Sequence, residues 1–265
     1  MPSLHDVVDL LHRWYPPDTA EDWDAVGLVA GHPADEVSRV MFAVDPTLEV
    51  AQEAVAWGAD LLVVHHPLFL TPVSSVAATT PKGRTLHLLQ SAGCALLTAH
   101  TNADQALGRV SEALAHALGL TGLTPLVPAE APGTGTGRIG DVEPTSLHGF
   151  AERVAAALPA TAHGVRVAGD PDRAVRRVAL CGGAGDFLLD HVATTDADVY
   201  VTSDLRHHRA SEFVGLDGPA LVDVAHWAAE WTWLPVVSAG LAEALGDTVA
   251  TTVSTTCTDP WQFRI

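Results

Sequence analysis

The amino-acid sequence predicts an α/β protein built as two similar α/β subdomains, each a mixed sheet flanked by helices. Three observations lead there. Short apolar runs alternate with stretches of helical periodicity along most of the 265 residues, the pattern of strand–helix alternation with largely parallel pairing. A Pro-, Gly-, Thr- and Ala-rich stretch from Pro125 to Gly140 interrupts that pattern and reads as a connection. Beyond it the alternation resumes in the same class, with no visible identity between the halves.

Leu4 to Trp14 carries apolar residues at helical spacing and stops at Pro16-Pro17, which cannot continue a helix. Val37 to Val44 alternates as a strand, Leu48 to Ala56 has helical periodicity, and Leu61-Leu62-Val63-Val64 is a short buried-type strand. Gly83 to Ala92 then reads as helix, Ala95 to Ala99 as strand and Val110 to Leu118 as helix. In the second half, Leu147 to Leu158, Gly185 to His191 and Arg206 to Phe213 read as helices. Val175 to Leu180, Val199 to Ser203 and Ala220 to Val224 read as strands. The expected division is 1–124 for the first subdomain, with 225–265 returning to it, and 125–224 for the second.

The formal charge of −18, from 14 basic and 32 acidic residues, opposes nucleic-acid binding, which depends on Lys and Arg neutralising phosphates. Apolar runs end far short of the roughly 20 residues of a membrane span. The start, Met1-Pro2-Ser3-Leu4-His5-Asp6, lacks the features of a signal peptide, so a cytoplasmic address is expected. Cys94, Cys181 and Cys257 are too far apart for a thiolate metal motif and read as small buried hydrophobes.

The 14 histidines therefore have to be judged by position. His65 and His66 end the strand Leu61 to Val64, where α/β sheets place ligand sites, and at a strand end two adjacent imidazoles can splay toward two ions. A hydrogen-bonded turn is the ordinary alternative. Leu96 to Ala99 is another strand ending in polar groups, among them Asp104. A helix cap for the segment from Val110 is the other use of that carboxylate, but it sits early for one, and we read it as a ligand. His100 stays open between ligand, hydrogen-bonded support and general acid. After Leu221 to Val224, His226 and Glu230 stand four apart on one helix face, with Cβ atoms about 5–6 Å apart. Either alone is an ordinary surface polar pair; three strand-end sites together point to metal.

Three imidazoles and two carboxylates suit zinc, iron or manganese better than magnesium. Two divalent ions per chain are expected, Glu230 being the candidate bridge, and two ions about 3.5–4 Å apart favour hydrolysis. Because His226 and Glu230 follow the second subdomain, the cleft between subdomains is where the ions are expected. The Gly182-Gly183-Ala184-Gly185 run reads as a tight turn, with an anion cradle as its alternative. Trp227, Trp231 and Trp233 read as packing residues.

An ordered set of motifs resembles a known family, the GTP cyclohydrolase 1 type 2 homologs, or Nif-three-like dinuclear-metal proteins. The set runs through Asp22-Trp23-Asp24-Ala25-Val26-Gly27-Leu28, His65-His66-Pro67-Leu68, His100-Thr101-Asn102-Ala103-Asp104 and Gly137-Arg138-Ile139-Gly140. It continues with Cys181-Gly182-Gly183-Ala184-Gly185, Ser203-Asp204-Leu205-Arg206-His207-His208 and Asp223-Val224-Ala225-His226-Trp227-Ala228-Ala229-Glu230. The resemblance implies that His65, His66, Asp104, His226 and Glu230 are metal ligands, and that the protein is a ring-shaped homohexamer. It also implies a compact form without the insertion domain of longer members. Asp204, His208 and Gly183 become candidate substrate contacts, and His100 and Glu230 candidate catalytic groups. A cap for Asp204 and a surface imidazole for His208 are the ordinary readings. Ala25, Ser203 and Arg109 depart from the family pattern without removing a ligand. The expected function is a metal-dependent hydrolase of a small phosphorylated or nucleotide-like molecule; the alternative is a metal-handling or scaffold protein without catalysis.

Overall fold

A computed structural model describes residues 1–106, 110–216 and 218–265. Arg109, one of the departures noted above, lies outside the described residues. In chain order the elements are α1 (Leu4–Trp14), β1 (Gly27–Ala30), β2 (Arg39–Ala43), α2 (Leu48–Trp57), β3 (Leu61–Val64), α3 (Pro81–Ser91) and β4 (Ala95–Thr98). They continue with α4 (Thr101–Gln105), α5 (Val110–Ala117), β5 (Thr121–Pro128), β6 (Gly135–Ser146), α6 (Leu147–Ala157), β7 (Val165–Ala168) and β8 (Ala174–Ala184). The last are α7 (Leu189–Val192), β9 (Val199–Ser203), α8 (His207–Val214), β10 (Ala220–Val224), α9 (His226–Trp231), α10 (Trp233–Leu245) and β11 (Ala250–Val253).

The helix boundaries follow from local chemistry. Ser3 caps α1 by accepting from Asp6 N at 3.2 Å while the Asp6 carboxylate accepts from Ser3 N at 2.8 Å, a reciprocal capping box. Thr47 caps α2, which ends on Gly58 in the left-handed conformation only glycine adopts without strain. Ser146 caps α6 in the same manner as Thr47.

The chain divides into two compact units, residues 1–106 with 234–258, and residues 107–233 with 259–265. In the first unit the sheet order is β1-β4-β3-β2-β11; only β1 runs antiparallel to its neighbour. One face of this sheet packs Met41, Leu62, Val64 and Leu96 against Val50, Ala51 and Ala54 of α2 and Leu86 and Leu89 of α3. These residues are all but inaccessible, and burying each large aliphatic side chain contributes about 1.5–3 kcal/mol. The consecutive apolar residues of β3 are all buried, as a parallel strand covered on both faces requires.

In the second unit the order is β5-β6-β8-β9-β10-β7. Only β8, β9 and β10 are mutually parallel; β5, β6 and β7 join antiparallel, so both sheets are mixed. Ala179, Tyr200 and Leu221 on one face meet Leu188, Leu189 and Val192 at α7 and Phe213 of α8. The stretch from Pro125 to Gly140, expected as a connection, instead holds the end of β5, the turn and the start of β6 in an antiparallel pair. Its prolines are tolerated because β5 is an edge strand. The run from Gly182 also differs from expectation: residues 182–184 are the bulged end of β8, where the register with β9 shifts between Leu180 and Ala184. Cys94 and Cys181 are buried as expected, but Cys257 is exposed. No helix among the described residues is long and apolar enough to cross a membrane.

Candidate metal centre

His65 and His66 leave β3 with their backbones still tied to the sheet, His65 N donating to Ala43 O and His66 N to Val44 O. The His65 ring is fully buried. Its Nδ1 lies 2.9 Å from Ala99 O, and because a carbonyl only accepts, Nδ1 carries the proton and Nε2 is left as a lone pair. His66 Nδ1 is 2.7 Å from Asp45 Oδ1, so it too is held by an acceptor. The other oxygen of Asp45 accepts from Thr258 Oγ1.

Asp104 sits in the single turn of α4. Its Oδ1 is 3.9 Å from His65 Nε2, close to the separation of two donors that each stand about 2.0–2.2 Å from one ion.

His100 joins this set. One ligand atom from each of His65, His66 and His100 lies within 4.8 Å of the others, a group that can hold a metal ion. The three rings stack edge to face or tilted, with centroids 5.0 to 5.4 Å apart. His100 Nδ1 donates to Asp24 Oδ1 at 2.8 Å. Burial, reinforced by the neighbouring His65, pushes the His100 pKa down to about 4 against the pull of Asp24, so the ring is neutral at pH 7. The buried Asp24 carboxyl is pushed up by desolvation, but hydrogen bonds from Thr101 and His100 outweigh this and hold it below the usual carboxylate value. Thr101 contributes both its hydroxyl, at 2.5 Å, and its backbone N–H, at 3.0 Å.

In the second unit, α9 places His226 Nε2 2.8 Å from Glu230 Oε1, and Glu230 is only 3% exposed. The helical spacing put both on one face, as expected. His226 Nδ1 is 2.7 Å from Asp204 Oδ2. That hydrogen bond holds the Asp204 carboxyl below its ordinary pKa, against a smaller opposite push from burial. Gly183 has φ +69°, and a Cβ there would stand 2.5 Å from Glu230 Oε1 and 3.2 Å from His226 Nε2. Its missing side chain keeps the donor pair clear. His208 is exposed on α8, its ring centroid 5.3 Å from that of His207.

The donor chemistry fits a divalent metal. Metal-binding histidines characteristically donate their second ring nitrogen to a carboxylate or carbonyl, which fixes the tautomer and aims the free lone pair. His65, His66, His100 and His226 each hold Nδ1 against such an acceptor, and at His226 the Nε2 faces a second carboxylate, Glu230. The reading of the sequence missed Asp45 as a partner, although it follows β2 and the same strand-end logic reaches it.

Fold and side chains together define an α/β protein with two histidine–carboxylate donor sets suited to divalent ions. The chain belongs to the Duf34/NIF3 (NGG1p interacting factor 3) family, which matches residues 2–260. A "GTP cyclohydrolase 1 type 2 homolog" of Streptomyces coelicolor is 49% identical, over 100% of this chain and 95% of its own. One of the same name from Mycobacterium tuberculosis is 37% identical, with 98% and 97% covered. That alignment spans 368 positions against 265 residues here, so the mycobacterial protein carries a segment this chain lacks. Among solved structures, a Bacillus cereus protein related to NIF3 superposes with a TM-score of 0.91 at 25% identity, over 100% and 99% of the two chains. Reduced HcgD from Methanocaldococcus jannaschii gives 0.78 at 26% identity, over 96% and 98%.

Proposed function

We propose that this chain binds two divalent ions, zinc, iron or manganese, and is a metal-dependent hydrolase of a small phosphorylated or nucleotide-like molecule. The ligands are His65, His66, Asp104, His226 and Glu230. The observation that carries the reading is the anchoring of each imidazole through Nδ1, which turns Nε2 of His65 toward Asp104 and Nε2 of His226 toward Glu230. Bound there, two ions would supply Lewis acidity, activation of water and a clamp on substrate oxygens. The protein's own part is to orient the donors: Ala99 O and Asp45 hold the histidine pair, Gly183 leaves space, and His100, neutral and held by Asp24, presents an acceptor nitrogen beside them. The name carried by the curated relatives makes opening of the GTP ring one reaction to test. The likeness to the family also supports a cytoplasmic homohexamer, for which light scattering would give six times the chain mass of 27.7 kDa.

The test is metal analysis of the loaded wild type, His65→Ala and Glu230→Ala, followed by a screen of phosphate esters and nucleotides including GTP. Two ions per wild-type chain, with ions and turnover lost together in both variants, is the expected result. Fewer than two ions in the wild type would sink the dinuclear claim. Full loading with no turnover sensitive to these residues would favour a non-catalytic metal-handling or scaffold role.

A further inference from the structure

Between α1 and β1 the chain holds an aromatic ring in solvent at a place where it is otherwise tied down. Asp24 N donates to Glu21 O at 2.9 Å, closing a four-residue turn with Trp23 in its third place. Both sides of that turn are fixed to α4. Glu21 N donates to Thr101 Oγ1 at 2.9 Å, Gln105 Nε2 to Glu21 Oε1 at 2.9 Å, and Thr101 N to Asp24 Oδ2 at 3.0 Å. The Asp24 side chain is fully buried and also accepts from His100 Nδ1 and Ala25 N. Between these anchors Trp23 is 58% exposed. The unfavourable hydration of a large apolar ring is thus fixed into the fold by hydrogen bonds on either side of it.

The ring also has a particular neighbour. Its centroid is 5.9 Å from that of His100, edge to face at 79°. The His100 side chain is 15% exposed and packs in turn on His65 and His66, at 5.1 and 5.4 Å, in the group of three that can hold a metal ion. One imidazole therefore separates the indole from the donor set. An indole has a broad π face and only two rotatable side-chain bonds, so a pinned one offers contact area with little freedom left to lose on binding. Flat heteroaromatic rings are the partners that such a face stacks best, and nucleobases of every kind have a π face to offer.

We propose that Trp23 is the stacking platform for the base of a nucleotide whose phosphate lies at the metal centre, and thereby the residue that selects nucleotides over simple sugar phosphates. The phosphate end of this inference rests on the proposed metal centre; the base end rests on the pinned indole alone.

The probes are GMP and ribose 5-phosphate, the same sugar phosphate without its base, each titrated into zinc-loaded and metal-free protein. Calorimetry gives the affinities. In protein labelled with 5-fluorotryptophan, 19F NMR reports contact at the ring, the Trp23 signal being the one missing from Trp23→Phe. Zinc-loaded wild type is expected to bind GMP at least about fivefold more tightly than ribose 5-phosphate, and only GMP should shift the Trp23 signal. Trp23→Ala should bring GMP down to the affinity of ribose 5-phosphate and leave the latter unchanged, while Trp23→Phe keeps most of the preference. Equal affinity for the two probes in wild type, or no binding of GMP, overturns the proposal. So does a GMP preference that survives Trp23→Ala, or a loss shared equally by both probes, which marks a structural role. Failure of the metal reading looks different: zinc then changes neither affinity, while the GMP-induced shift at Trp23 and the GMP preference it carries remain.

Discussion

Replacing Gly183 by alanine tests whether the donor pair is shaped by an absent side chain. Two costs are separable. The φ of +69° puts any L side chain in the left-handed region, worth about 1–2 kcal/mol. The new Cβ also stands 2.5 Å from Glu230 Oε1, so the carboxylate must retreat by about 0.9 Å to reach ordinary contact at 3.4 Å. The backbone cannot give way instead, because Gly183 O is held by the fully buried Thr202 hydroxyl at 3.0 Å. Gly93→Ala is the control: its φ is +72°, with nothing within 4 Å of the added Cβ, so it carries the backbone cost alone. At roughly 2–4 °C per kcal/mol for a chain of this size, both variants should melt about 2–8 °C below wild type in the metal-free state. Metal sites tolerate displacements of only about 0.2 Å, so zinc affinity, by competition with a chromophoric chelator, should drop at least about tenfold in Gly183→Ala, or ~1.4 kcal/mol. Gly93→Ala should bind as wild type does. Equal zinc affinity in the two variants would refute the steric argument, and an unchanged melting temperature would refute the left-handed assignment.

Three further outcomes follow from particular contacts. Asp45→Asn should weaken divalent-ion binding about 10–100-fold, and Thr258→Val by less, because Thr258 reaches His66 only through Asp45; isothermal titration checks the order. Burial and Asp60 push the Cys94 thiol up to about 12, so at pH 8 a thiol-reactive dye should label exposed Cys257 rapidly and Cys94 only after unfolding, as mass spectrometry of peptides can show. Asp24 has a folded pKa below its ordinary 3.8, so its stabilising share is complete above that value and is lost as pH falls through the folded pKa. Wild type should therefore exceed Asp24→Asn in urea stability at pH 7, with the gap narrowing below about pH 4; a gap constant down to pH 2 would contradict it.

The parallel heart of each sheet was legible because it is written in apolar runs. Leu61 to Val64, Ala95 to Thr98, Val199 to Ser203 and Ala220 to Val224 are buried at every position, as short parallel strands covered on both faces are. The edges were not legible. β7 has two exposed and two half-buried residues, and β5 has a single buried residue and prolines at 125 and 128, so neither shows alternation or a dense core. Their pairing is supplied by the neighbouring strand rather than by their own side chains. For the site, residue type and strand-end position marked His65, His66, Asp104, His226 and Glu230 as candidates. The supporting carboxylates were harder to see: Asp24 lies 76 residues from His100, and Asp45 21 from His66. Such pairs are products of strand register, which a single sequence does not display.

Register also offers a common account of the anchors themselves. Each of three imidazoles emerges at the carboxyl end of one parallel strand and is held by a group emerging from the strand beside it: His65 by Ala99 after β4, His66 by Asp45 after β2, His226 by Asp204 after β9. Parallel pairing brings these ends level, which antiparallel pairing does not do, since it sets a carboxyl end beside an amino end. A carboxylate or free carbonyl placed one or two residues past a strand therefore falls within reach of a histidine placed one or two past its neighbour. The sheet thus supplies both the donors and the groups that orient them. Where the count is equal, as for Asp45 with His66, an ordinary backbone suffices. Where it differs by one, as for Asp204 with His226, the chain makes up the difference in a left-handed turn, held by the buried Asp223 carboxylate, which the exposed Arg166 pairs.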